Sequence, residues 1–126
     1  MNWTTVLFAV GVVAIFLWLR GSRQISTHDA LEQLKQGALV IDVRTPGEFA
    51  SGHLANAINL PLDEIEASIP RRVRDKNQAL LLHCQSGVRS GVARKKLIAL
   101  GYPNVFNLGS YGRAMQIVNE KFATFG

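Results

Sequence analysis

Residues 80–97 read LLLHCQSGVRSGVARKKL, and this stretch decides the fold. With the preceding alanine it opens on an apolar run, Ala79 to His83, short enough for a strand buried on both faces. Cys84 ends the run. Gln85 to Ser90 form a polar turn containing Gly87, with Ser90 starting a helix. Ala93, Leu97 and Leu100 line one face of that helix, and Arg94, Lys95 and Lys96 are expected to face water.

The same alternation extends in both directions. Upstream, Ser26, Thr27 and Asp29 open a helix as capping residues. Ala30, Leu31 and Leu34 give it an apolar stripe, and Gly37 stops it. Ala38 to Val43 is a buried strand broken by Thr45, Pro46 and Gly47. Glu48 to Ser51 make a helical turn, and Ala57 to Leu60 a further strand stopped by Pro61. Asp63 to Ile69 suit a short helix ended by Pro70, and Arg71 to Gln78 a polar loop. Downstream, Val105 to Leu108 read as a strand and Met115 to Phe122 as a last helix. Strands alternating with helices predict an α/β domain, with a mostly parallel sheet flanked by helices on both faces. Sites in such sheets form at the carboxyl ends of strands. Two ends are chemically rich here, the one after Asp42-Val43-Arg44 and the one at Cys84.

The chain has 126 residues, room for one domain. Its net charge is +5, from 14 Lys+Arg against 9 Asp+Glu, with every charged side chain at or after Arg20. No run of five like charges argues for nucleic acid, and none is expected as a partner. A single cysteine excludes a disulfide framework and a multi-cysteine zinc site, and fits a reducing compartment.

Trp3 to Leu19 reads WTTVLFAVGVVAIFLWL, uncharged and apolar all round. At helical rise it is ~25 Å long, enough for the hydrocarbon of a bilayer. Trp3 and Trp18 stand at its two ends, where indoles settle at membrane interfaces. The rival readings fare worse. A core helix of this kind would need a larger domain around it. A cleaved signal peptide would carry a basic start and a small-residue cleavage site, yet Phe16 to Arg20 reads FLWLR. The expected organisation is a transmembrane helix over 1–20, a linker over 21–24, the α/β domain over 25–120 and a tail over 121–126. Arg20 and Arg23 follow the helix and no basic residue precedes it. The positive-inside rule therefore predicts a single-pass protein with its C-terminal domain in the cytoplasm.

The turn after Cys84 is a device for negative charge. A tight turn curls its backbone N–H groups inward as a nest. The following helix adds its positive end, Gly87 permits a backbone conformation that side chains resist, and Arg89 adds a fixed charge. Together they favour a thiolate and can hold an anionic substrate. Two chemistries fit. One is attack on a phosphate ester, as in the His-Cys-x5-Arg loop of tyrosine phosphatases. Here only four residues separate Cys84 from Arg89, which makes a narrower cup. The other is attack on a sulfane sulfur, leaving a persulfide on Cys84.

Several ordered motifs resemble one family. Ile25-Ser26, Asp42-Val43-Arg44, Glu48-Phe49, Gly52-His53-Leu54, Asn56-Ala57 and Leu60-Pro61 precede the loop Cys84-Gln85-Ser86-Gly87-Val88-Arg89-Ser90. In this order they resemble the single-domain rhodanese-like sulfurtransferases. The resemblance implies that Cys84 is the persulfide-forming nucleophile. Gln85, Ser86, Gly87, Val88, Arg89 and Ser90 would cradle the substrate, and Arg44 would border the pocket. It implies a small anionic donor such as thiosulfate, a thiol, cyanide or protein thiol as acceptor, and no metal or organic cofactor. Asp42, Glu48 and His53 would be structural, and His83 should point away from Cys84 across the sheet. The family's paired glycines and later tryptophan are replaced by Gly109-Ser110 and Ala114. A sulfur carrier or binding module on the same fold, and a small phosphatase or arsenate reductase, are the alternatives.

Overall fold

The computed structural model describes residues 2–21 and 23–125, with the side chains of 17–21, 124 and 125 outside that description. Helix α1 (Trp3–Gly21) precedes the α/β domain. There follow α2 (Thr27–Lys35), β1 (Leu39–Asp42), α3 (Pro46–Ala50), β2 (Ile58–Asn59), α4 (Ile65–Arg72), β3 (Leu80–His83), α5 (Val88–Ala99), β4 (Val105–Gly109) and α6 (Tyr111–Phe125). Among the described residues the sheet has the order β2-β1-β3-β4, with every pairing parallel.

The period-2 alternation of β3 divides the core. Leu80, Leu82 and Cys84 point to one face, where Ile41, Val43, Ile65, Ile69, Ala93 and Leu97 meet them from β1, α4 and α5. Leu81 points to the other, among Ala30, Leu34, Val40, Leu108, Ile117 and Val118. Helices therefore cover both faces, as the strand-helix alternation predicts. Ala114 is fully buried and packs α6 against the second face of the sheet.

Three boundaries differ from the sequence reading. Helix α4 runs through Pro70 instead of stopping there. The proline forfeits one backbone hydrogen bond on an exposed side, while Ile65 and Ile69, both fully buried, pin the helix to the sheet. Helix α6 begins at Tyr111, four positions before Met115, with Ser110 Oγ accepting from Arg113 N–H at 3.1 Å. It runs on to Phe125, so the expected tail over 121–126 falls largely within it. Helix α5 begins at Val88, inside the expected six-residue turn.

The expected linker is partly built into the sheet. Gln24 forms an isolated parallel bridge with Asn107 of β4, and Ile25 N–H donates to the Asn107 carbonyl at 2.9 Å. In α1 most of the described apolar side chains are exposed, among them Trp3, Leu7, Phe8, Val10, Ile15 and Phe16. Among the described residues no helix is long and apolar enough to cross a membrane. The segment expected to do so, 3–19, extends past Phe16 to Leu17, Trp18 and Leu19, whose side chains lie outside the described ones, as does Arg20 of the orientation argument.

Candidate active site

Cys84 stands at the carboxyl end of the inner strand β3, where a short turn leads into α5. A shift in register between β3 and β4 brings His83 opposite Gly109, and Cys84 N–H donates to the Gly109 carbonyl at 3.2 Å. That bond fixes the backbone from which the thiol projects. Gly87 caps α5 with φ +96°, a left-handed conformation that side chains resist. The turn is thereby compressed to Gln85, Ser86 and Gly87, and the loop amides point back at the sulfur. Gly87 N–H lies 3.0 Å from Sγ and the Ser90 hydroxyl 3.5 Å.

Burial pushes the Cys84 thiol up, since the residue is wholly shielded from water. The Ser90 hydroxyl and the N–H groups of Ser90, Gly87 and Ser86 outweigh it, so the thiol lies below its ordinary value. A buried sulfur whose surroundings still stabilise its anion is what nucleophilic chemistry requires. A single N–H donor could not outweigh burial; a ring of them aimed at one atom can.

The two arginines singled out by sequence occupy different positions. Arg89 makes a two-pronged ion pair with Glu48, at 2.7 and 2.9 Å, and remains close enough for the Cys84 anion to add to its own upward shift. Arg89 in turn holds the Glu48 carboxyl down at about 2, aided by the N–H and hydroxyl of Thr45. Arg44 is buried and turned toward the protein. It donates to Asp42 through Nε and Nη2, at 2.8 to 3.1 Å, to the Gly52 carbonyl at 2.8 Å, and through Nη1 to Gln85 at 3.4 Å. The ring of Tyr111 covers it at 4.5 Å. Arg44 thus reaches the Cys84 loop through Gln85.

Ser86, Gly87 and Ser90 converge on the sulfur through their polar groups, whereas Val88 turns its side chain outward, 70% exposed. His83 lies on the opposite face of the sheet, as expected, with Nδ1 3.2 Å from the Cys84 carbonyl and Nε2 3.7 Å from Asp42. Burial pushes its protonation below the ordinary value, against the opposing pull of the Asp42 carboxylate. His53 stacks on Phe49 at 3.7 Å and bonds that residue's carbonyl, a local brace of α3.

Three contributors were missed from sequence. The Thr45-x-x-Glu48 spacing is a capping box that sets α3 and aims Glu48 at Arg89, and its pattern was there to be read. Asn107, a polar residue inside the buried strand β4, was also visible. Tyr111 over Arg44 had no sequence signal.

The rhodanese-like domain model matches residues 26–112, which is more than half of the chain, and the chain belongs to this family. It is 41% identical over 69 residues to the thiosulfate sulfurtransferase PspE of Escherichia coli, covering 55% of this chain and 66% of that enzyme. It thus spans about two thirds of that relative. Among solved structures, a rhodanese with anions from E. coli superposes with a TM-score of 0.59 at 36% identity, over 61% of this chain and 91% of the other. A human single-domain sulfurtransferase gives 0.64 at 26% identity, over 74% and 95%.

Proposed function

We propose that the protein is a sulfurtransferase that moves sulfane sulfur from thiosulfate or a related persulfide donor to a thiophilic acceptor through a Cys84 persulfide. The observation that carries this reading is the buried Sγ of Cys84, met by the N–H groups of Ser86, Gly87 and Ser90 and by the Ser90 hydroxyl where a three-residue turn enters α5. In the first step the Cys84 thiolate attacks the outer sulfur of thiosulfate. A new S–S bond forms, the old one breaks, and sulfite leaves with its electron pair. The outer sulfur of the resulting persulfide carries the negative charge, and the loop N–H groups are placed to stabilise it. In the second step cyanide, a small thiol or a protein thiol attacks that outer sulfur and restores the thiolate. Arg89 adds positive charge at the rim, and Arg44 shapes the rim through Gln85.

With only four residues between Cys84 and Arg89, the loop is one shorter than the phosphatase spacing, which favours one sulfur atom over a tetrahedral phosphate. The test is turnover by the full chain in detergent, with thiosulfate and cyanide as substrates and thiocyanate as product. Catalytic thiocyanate release, with no hydrolysis of a chromogenic phosphate ester, is expected. One equivalent of sulfur taken up without repeated turnover would make the protein a carrier, and ester hydrolysis would revive the phosphatase reading.

The same reading places the domain at a membrane, anchored through residues 3–19 and facing the cytoplasm. It is supported by the uncharged apolar run over 3–19, about 25 Å long at helical rise, and by the exposed apolar side chains of α1. The expected result is a full chain that stays in the membrane pellet after an alkaline carbonate wash. Its Cys84 should react with an impermeant thiol reagent only once the membrane is opened. Release by the wash would remove the anchor from the account.

A further inference from the structure

We propose that Asn107 is the positioning residue of the Cys84 loop, holding the loop's glycine and its serine in register with the sulfur without itself touching substrate. This rests on reading Cys84 as the nucleophile. Asn107 sits in β4, 1% exposed, and its side-chain amide reaches into the site. Nδ2 donates to the Gly87 carbonyl at 3.1 Å; Oδ1 accepts from the Ser90 hydroxyl at 2.7 Å and from Gly109 N–H at 3.0 Å. Gly109 N–H can only donate, so the amide can sit only one way round.

The consequences follow from geometry. Holding the Gly87 carbonyl on Nδ2 locks the left-handed turn at Gly87, and with it the direction of the Gly87 N–H that meets Sγ at 3.0 Å. The Ser90 hydroxyl has one proton and three acceptors within reach, Asn107 Oδ1, the Gly87 carbonyl and Sγ at 3.5 Å. Asn107 Oδ1, the nearest of the three, holds that proton while the sulfur is neutral and keeps the hydroxyl 3.5 Å from Sγ, where it turns its proton onto the thiolate once charge develops. The Asn107 backbone is fixed from its outer side by Ile25 N–H and the bridge to Gln24, and a Cβ on Gly109 would lie 2.8 Å from the Gln24 side chain. Gln24 and Ile25 therefore pack against the back of the reactive loop.

The test is the pH profile of Cys84 alkylation by iodoacetamide in the full chain in detergent, which reads thiolate fraction whether or not thiosulfate loads the sulfur. Failure of sulfur transfer and failure of this proposal are thus separate results. The charged and titratable groups around Cys84 stay in place in every variant: Arg89 with Glu48 at the rim, His83 behind the strand, and Asp42 with Arg44 on β1. In Asn107→Ala the midpoint is expected to move up and the rate at neutral pH to fall about threefold or more, with the high-pH plateau preserved. Ser90→Ala should give a shift of the same sign. The double variant should shift by less than the sum, because the two side chains act through one arrangement. If circular dichroism shows Asn107→Ala unfolded, Asn107→Ser replaces it. Serine is too short to reach Gly87 and Ser90 together, and the same upward shift is expected. An unchanged or lowered midpoint, or fully additive shifts, would overturn the proposal.

Discussion

Replacing Cys84 by serine is expected to lower thiocyanate formation by at least about a thousandfold while leaving the fold intact. The loop N–H groups, the charge of Arg89 and the shape of the cup all remain, but they surround a hydroxyl that does not ionise near neutral pH. Serine is close to isosteric with cysteine, and the backbone bond from residue 84 to Gly109 is untouched. A thermal melt within a few degrees of the parent would show that chemistry, not folding, was lost. Residual activity within tenfold of the parent would mean that another group carries the reaction.

The second large effect falls on stability. Asp42 is fully buried and accepts from the Arg44 backbone N–H at 2.9 Å as well as from its guanidinium. Asp42→Ala would leave that guanidinium, on a residue only 5% exposed, without its counter-charge. Breaking a buried pair from one side costs about 3–5 kcal/mol. The expected result is a fall of that size in unfolding free energy from urea titration, at an unchanged m-value. Asp42→Asn keeps an acceptor and should lose less. A loss below about 1 kcal/mol for the alanine variant would show that Arg44 finds water or another acceptor instead.

Asp42 also illustrates what the sequence made legible. An acidic residue ending an apolar strand, two places before an arginine, could be read as a local brace, and it is one. The strands were legible because short apolar runs bounded by glycine and proline leave few alternatives. The start of α5 was not, because Ser90 resembles a helix cap. Gly87 does the capping through its backbone, and no side chain bonds there. Ser90 lies inside the first turn of the helix instead, with its hydroxyl directed at Asn107, Gly87 and Cys84. The Arg89–Glu48 pair joins residues 41 positions apart, and no local pattern announces such a partner. Arg44 could be placed near the site from the motif, but its direction depends on Gly52, Gln85 and Tyr111, which only the fold brings together.

The site is thus a local device with distant supports. Three residues of turn set the N–H groups, while α3 supplies Glu48 to steady Arg89 and β4 supplies Asn107 from behind. The central claim is that this device stores sulfur on one atom. Intact-protein mass spectrometry of the full chain after mixing with thiosulfate, without reductant, tests it most directly. The account predicts a gain of one sulfur atom, lost on adding cyanide and absent in Cys84→Ser. A Cys84 that alkylates readily yet gains no sulfur from thiosulfate or from a persulfide donor would contradict it.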